Sequence, residues 1–109
     1  PLLIAQIEHI NAVNNLDEIL TVEGLDAIIV GPYDLSASMG ITGEFYSKEF
    51  IDIMDNIMSL CNKHNVPCGD HVVQPDQKTL EKRIDQGFRF IAFGTDGVFM
   101  YINCNNPRE

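Results

Sequence analysis

Two short segments hold the residue types best suited to chemistry, Gln6-Ile7-Glu8 and Gly31-Pro32-Tyr33-Asp34-Leu35-Ser36. Residues two apart on a strand share a face, so Gln6 and Glu8 point together while Ile7 packs the other way. A glutamate ending an apolar strand is costly to bury unless it is paired or bound to a metal. If the two segments end neighbouring strands, about 4.8 Å apart, Glu8 and Asp34 can share one cation. Two carboxylates plus water suit a hard divalent ion such as Mg²⁺ or Mn²⁺. On spacing alone a plainer reading carries more weight: Glu8 forms a salt bridge and Asp34 caps a turn.

The elements that must position these residues follow from the hydrophobic pattern. Leu2 to Ile7 and Ala27 to Val30 are short apolar runs that suit buried strands, the second stopped by Gly31-Pro32. Between them Val13, Leu16, Ile19 and Leu20 recur at helical spacing, with Asn11 or Asn14 as N-cap and Gly24 as breaker. A loop is expected to about Ser47, then a long helix with one face of Phe50, Ile53, Met54, Ile57 and Cys61. Val66 to Val73 reads as a third strand region. Asp76 caps the next helix, whose Leu80 and Ile84 are expected to face inward before Gly87 closes it. Phe88 to Phe93 is the fourth strand. Thr95 or Asp96 caps a last helix bearing Val98, Phe99, Met100 and Ile102, and the polar tail from Asn103 to Glu109 is expected to fray.

The order is βαβαβαβα. Strands without strict alternation are buried on both faces, which means a parallel sheet covered by helices. Four units can form a small open sheet, or half of a (β/α)₈ barrel, which needs about 250 residues. In either architecture ligands gather at the carboxyl ends of the strands, where Glu8 and Asp34 fall.

Composition agrees. The 109 residues are 45% hydrophobic and 21% charged, as in a folded globular domain rather than a disordered chain. A net charge of −9 disfavours nucleic acid as partner. No apolar run reaches the roughly 18 residues of a membrane span. The first residues have no signal-peptide pattern, and the absence of an initiator Met before the apolar Pro1-Leu2-Leu3-Ile4-Ala5 suggests missing upstream sequence. Cys61, Cys68 and Cys104 form no CxxC pair; an odd, scattered set suits a reducing cytoplasm, with the cysteines acting as small apolar fillers.

Gln6-Ile7-Glu8, Asn15 to Leu20, Val22 to Asp26 and Gly31-Pro32-Tyr33-Asp34-Leu35-Ser36, continued by Pro67-Cys68-Gly69 and Phe93-Gly94-Thr95-Asp96, together resemble the HpcH/HpaI aldolase/citrate lyase family. The resemblance covers nearly the whole chain, and it is the order and spacing of the motifs that make it specific. It implies a phosphoenolpyruvate/pyruvate-type TIM barrel, with residues 1–109 as its carboxy-terminal half, the last four βα units. It implies a class II aldolase, a carbon–carbon lyase that uses Mg²⁺, Mn²⁺ or Co²⁺. Such an enzyme cleaves or forms 4-hydroxy-2-oxo acids from pyruvate, or another 2-oxo acid, and an aldehyde, as in a 2,4-dihydroxyhept-2-ene-1,7-dioate aldolase. Carried onto this chain, the family pattern makes Glu8 and Asp34 the metal ligands and puts Gln6 on the bound oxo acid. The backbone amides of Tyr33 and Asp34 would hold its carboxylate. A chelated ion acts as a Lewis acid on the keto group, and donors nearby add to that stabilisation.

Three departures qualify the pattern. Tyr33 stands where such aldolases usually have a small residue. Asp70-His71 stands where many members carry apolar ones, and His71 is a candidate for the aldehyde end of the site, with a place on the surface or behind the ligand-contacting residues as the plainer reading. His9 and His64 read as ordinary surface histidines. The family's catalytic His and its keto-polarising Arg come from the first half of the barrel and have no counterpart here, so the isolated chain is expected to be inactive, a homo-oligomer by its open edges, and without certain catalytic residues. The alternatives are a citrate-lyase-like acyl-CoA lyase and a non-catalytic half-barrel.

Overall fold

Apolar runs do form the strands. A computed structural model describes residues 1–108. It contains β1 (Ile4–Ile7), α1 (Ile10–Asn14), α2 (Leu16–Ile19), β2 (Ala27–Val30), α3 (Pro32–Ser38), α4 (Lys48–His64), β3 (Cys68–Val72), α5 (Gln77–Asp85), β4 (Phe90–Phe93) and α6 (Asp96–Asn103). The strands form one parallel sheet in the order β1-β2-β3-β4, with Ile7 beside Val30, Ile29 beside Gly69 and Gly69 beside Phe90.

The core lies on the face of the sheet that the helices cover. Ile7, Ile28, Val30 and Cys68 meet Val13, Leu16, Leu35, Phe50, Met54, Ile57 and Cys61 there. α4 supplies the largest share because Phe50, Met54, Ile57 and Cys61 recur every three or four residues. Burying side chains of this size is worth about 1.5–3 kcal/mol each. The helix starts at Ser47, whose hydroxyl accepts from the Phe50 amide at 3.2 Å, and ends at Asn65 in the left-handed region, φ 55°. Its last turn is tied to α2: Asp17 accepts from Lys63 Nζ at 2.9 Å and meets His64 Nε2 at 2.7 Å.

Alternation puts Ile4, Gln6, Ile29, Gly69, His71, Phe90 and Ala92 on the opposite face. Phe90 lies flat across β3 there: a Cβ on Gly69 would sit 2.5 Å from the Phe90 ring, so only glycine fits. Among the described residues no helix layer covers this face, and Ile4 is 41% exposed. β1 and β4 are open edges. Among the described residues no helix is long and apolar enough to cross a membrane.

Several local expectations change. The periodic stretch from Val13 to Leu20 is two short helices rather than one, broken at Asn15. The α1 cap is His9, whose Nδ1 accepts from the Asn11 amide at 3.1 Å, not Asn11 or Asn14. The expected loop after β2 holds α3, because Pro32 is a good first helical residue rather than a breaker. Ile84 is 56% exposed, so it does not face inward; α5 instead anchors through Arg83. Asn103 still belongs to α6, its amide donating to the Phe99 carbonyl at 2.8 Å. Glu109, the end of the expected fraying tail, lies outside the described residues. The caps at Asp76 and Thr95 and the turn at Gly87, φ 97°, are as expected.

Candidate active site

The carboxyl edge of the sheet brings Gln6 and Glu8 to the start of α3. Ile7 is buried under the helices, while Gln6 and Glu8 are exposed on the other side. Both lean over Gly31, the residue that joins β2 to α3. A Cβ on Gly31 would lie 2.9 Å from Gln6 Nε2, 3.1 Å from Glu8 Cβ and 3.2 Å from Glu8 Oε2. The Gln6 amide, the Glu8 carboxylate and the backbone leaving β2 thus converge on one spot that only glycine leaves open.

Asp34 follows three residues later, exposed in the first turn of α3. It does not cap the helix: the N-cap is Gly31, and no side chain satisfies it. Tyr33 and Asp34 occupy the second and third helical positions, whose amides have no acceptor within the helix. Among the described residues neither Glu8 nor Asp34 forms an ion pair, so the salt bridge expected at Glu8 is absent. No three His, Cys, Asp or Glu side chains gather into a metal-holding group among those residues. Glu8, beside Gly31, and Asp34, in the first turn of α3, are the acidic side chains at this edge. A hard cation held by them would complete its shell with water or substrate oxygens.

At the start of α3 is a pocket of about 330 Å³, walled by Pro32, Tyr33, Phe45, His71, Thr79 and Arg83. The Tyr33 ring stands edge-on to Phe45, centroids 4.9 Å apart. His71 Nε2 lies 3.0 Å from the Gly94 carbonyl, to which it donates. His71 thus borders the pocket.

Asp70 and Arg83 were not anticipated as a pair. Asp70 is only 1% exposed, on the helix-covered face of β3, and its Oδ2 lies 2.7 Å from Arg83 Nε. Burial raises the Asp70 pKa, with Arg83 pulling the other way. A charge inside a short apolar strand was the one available signal; its partner lies on the following helix and is visible only once α5 folds back onto β3. His9 and His64 serve the local roles described above.

Four parallel strands alternating with helices, and polar residues on their carboxyl ends, define an α/β protein of the (β/α)₈ type. The HpcH/HpaI aldolase/citrate lyase family model matches residues 1–103, and the chain belongs to that family. It is 36% identical over 98 residues to the 5-keto-4-deoxy-D-glucarate aldolase of Salmonella arizonae, covering 89% of this chain and 38% of the relative. Against the Citrobacter koseri enzyme of the same name it is 35% identical over 98 residues, covering 89% and 37%. Among solved structures it resembles the HpcH/HpaI aldolase from Desulfitobacterium hafniense DCB-2 with a TM-score of 0.85 at 28% identity, over 93% of this chain and 39% of that one. Citrate synthase SbnG superposes with a TM-score of 0.81 at 29% identity, over 93% and 40%. The chain thus spans less than half the length of these relatives.

Proposed function

We propose that this chain is the carboxy-terminal half of a divalent-metal-dependent aldolase that makes or breaks 4-hydroxy-2-oxo acids, and that it contributes the acidic metal ligands, Glu8 and Asp34. The observation that carries this reading is the convergence of the Gln6 amide and the Glu8 carboxylate on Gly31, at the root of the helix that bears Asp34. Oxygen donors of this kind fit Mg²⁺, Mn²⁺ or Co²⁺. When bound, such an ion would supply Lewis acidity to the keto oxygen of a 2-oxo acid.

The chain's own residues bind and orient. Glu8 and Asp34 provide the negative charge. The Gln6 amide, held against Gly31 by its own strand, can donate to an oxo-acid oxygen, and the Tyr33 and Asp34 amides can receive the carboxylate. His71 and Tyr33 border the side from which the aldehyde portion would extend. The names of the two aldolases described above support a 4-deoxy-5-keto sugar diacid as the substrate class to try first. A cytoplasmic homo-oligomer is part of the same proposal.

Mn²⁺ titration of the purified chain, followed by the EPR signal of free ion, tests the ligand assignment. Glu8→Gln and Asp34→Asn should each weaken binding at least tenfold, and Asp26→Asn, at the opposite end of β2, should leave it unchanged. Equal Mn²⁺ binding by all four proteins would overturn the assignment.

A further inference from the structure

Arg83 belongs to the pocket at the start of α3, and the proposed metal site does not use it. Its side chain is 16% exposed and is fixed by two contacts. Asp70, almost fully buried on β3, holds Nε in an ion pair at 2.7 Å, and Nη1 donates to Gln86 Oε1 at 2.9 Å. Among the described residues Nη2 has no hydrogen-bond partner. A buried ion pair returns little more in attraction than it costs in desolvation, so stability alone does not account for one on the wall of a cavity. The other walls narrow what the free edge of the guanidinium can meet. Tyr33, Phe45 and Tyr46 are flat and largely apolar. The charged walls are one arginine and two aspartates, Asp70 and Asp76, so the pocket has no surplus positive charge for an isolated anion such as phosphate. Gln74 and Thr79 add groups that both donate and accept. Mixed donors and acceptors between apolar walls match a carbon chain bearing hydroxyl groups, which also donate and accept.

We infer that Arg83 is a specificity-determining residue: it donates to a hydroxyl oxygen on the aldehyde portion of the substrate, and Asp70 positions it. The aldehyde is therefore hydroxylated and carries no phosphate, an identity for the ligand that rests on the aldolase reading proposed above. Pro32 and Tyr33, which lie between Gly31 and Asp34 in the chain, form the wall that joins this pocket to the candidate metal site. The cavity, at about 330 Å³, is at the small end of the range for small-molecule sites, enough for a short hydroxylated chain.

The probe is erythritol, a short chain with a hydroxyl on every carbon, titrated into the isotope-labelled protein and read by proton–nitrogen NMR at the Arg83 Nε–H and the backbone amides of Val73 and Thr79. Divalent metal is left out, so the result does not depend on Glu8 and Asp34. Erythritol should shift these signals saturably, whereas phosphate and butanol should not. Arg83→Lys keeps a positive charge against Asp70 but lacks the planar fork, and should weaken erythritol binding about tenfold or more with the circular dichroism spectrum unchanged. Tyr46→Ala, at a wall residue that is 82% exposed and outside the core, should weaken it as well and covers the case in which Arg83→Lys does not fold. Asp70→Asn removes the countercharge, so phosphate should now shift the Val73 and Thr79 amides, which loss of a merely structural contact would not produce. Absence of saturable erythritol shifts in the parent, or equal affinity in the parent and a folded Arg83→Lys, would overturn the inference. So would phosphate binding to the parent at this pocket.

Discussion

Gly31→Ala separates the candidate metal site from the stability of the fold. Gly31 has φ −98° and ψ 92°, a conformation open to alanine, so the substitution carries no left-handed penalty. Removing a glycine from such a position stabilises by about 0.4–1 kcal/mol through the unfolded chain. Against this, the added methyl would meet Gln6 Nε2 at 2.9 Å, Glu8 Cβ at 3.1 Å and Glu8 Oε2 at 3.2 Å. Overpacking costs about 1–3 kcal/mol where neighbours cannot move. Two of these three atoms are the free ends of exposed side chains, and only Glu8 Cβ is tied to backbone, so the cost falls at the low end. Net stability should change by less than about 1 kcal/mol. The same displacement moves both the Gln6 amide and the Glu8 carboxylate from their meeting point. Losses of about 10–100-fold in metal affinity are typical when a supporting neighbour is disturbed. Urea unfolding followed by circular dichroism gives the first quantity, and Mn²⁺ titration the second. A variant with unchanged Mn²⁺ affinity would refute the claim that this cradle shapes the site. One destabilised by more than about 3 kcal/mol would refute the claim that its walls are mobile side-chain ends.

Other expectations follow from the same structure. Arg83→Ala should destabilise by about 3–5 kcal/mol in urea, because it strands the buried Asp70 carboxylate, whereas Asp70→Leu with Arg83→Met should recover most of that loss. Because burial raises the folded-state pKa of Asp70, its contribution is fully present below the ordinary Asp value of 3.8 and declines as pH rises through the raised value. The difference in urea midpoint between the parent and Asp70→Asn, measured across this window, should follow that direction; a flat difference would count against it. The open edges, the bare inner face and the exposed Met100, Tyr101 and Ile102 should drive self-association at micromolar concentration, read by light scattering, and a stable monomer would argue against a half-barrel. The isolated chain should bind Mn²⁺ yet show little or no cleavage of 4-hydroxy-2-oxo acids, because groups expected from the remainder of the barrel each contribute roughly 100-fold or more in comparable roles.

Much of the fold is readable in local pattern. Short apolar runs, helical spacing from Phe50 to Cys61, and caps at Asp76 and Thr95 identify elements because each depends on residues within a turn or two. Where several local rules compete, the pattern is ambiguous: Gly31-Pro32 marks the end of a strand and equally the start of a helix, and the packing of Leu35 into the core decides for the helix. Ile84 fits the inward stripe of α5 yet is exposed, because the depth at which a helix sits depends on what covers it.

The sequence by itself determined that strands and helices alternate, that Gln6 and Glu8 share a face opposite Ile7, and that Asp34 follows closely on a strand end. These are consequences of the two-residue and 3.6-residue periods. Only the tertiary structure decided that Gln6 and Glu8 meet over Gly31, that Asp70 pairs with Arg83 and that Phe90 covers Gly69. Each of those contacts joins residues on different elements, so it exists only once strand register and helix docking are set, and no local periodicity encodes either.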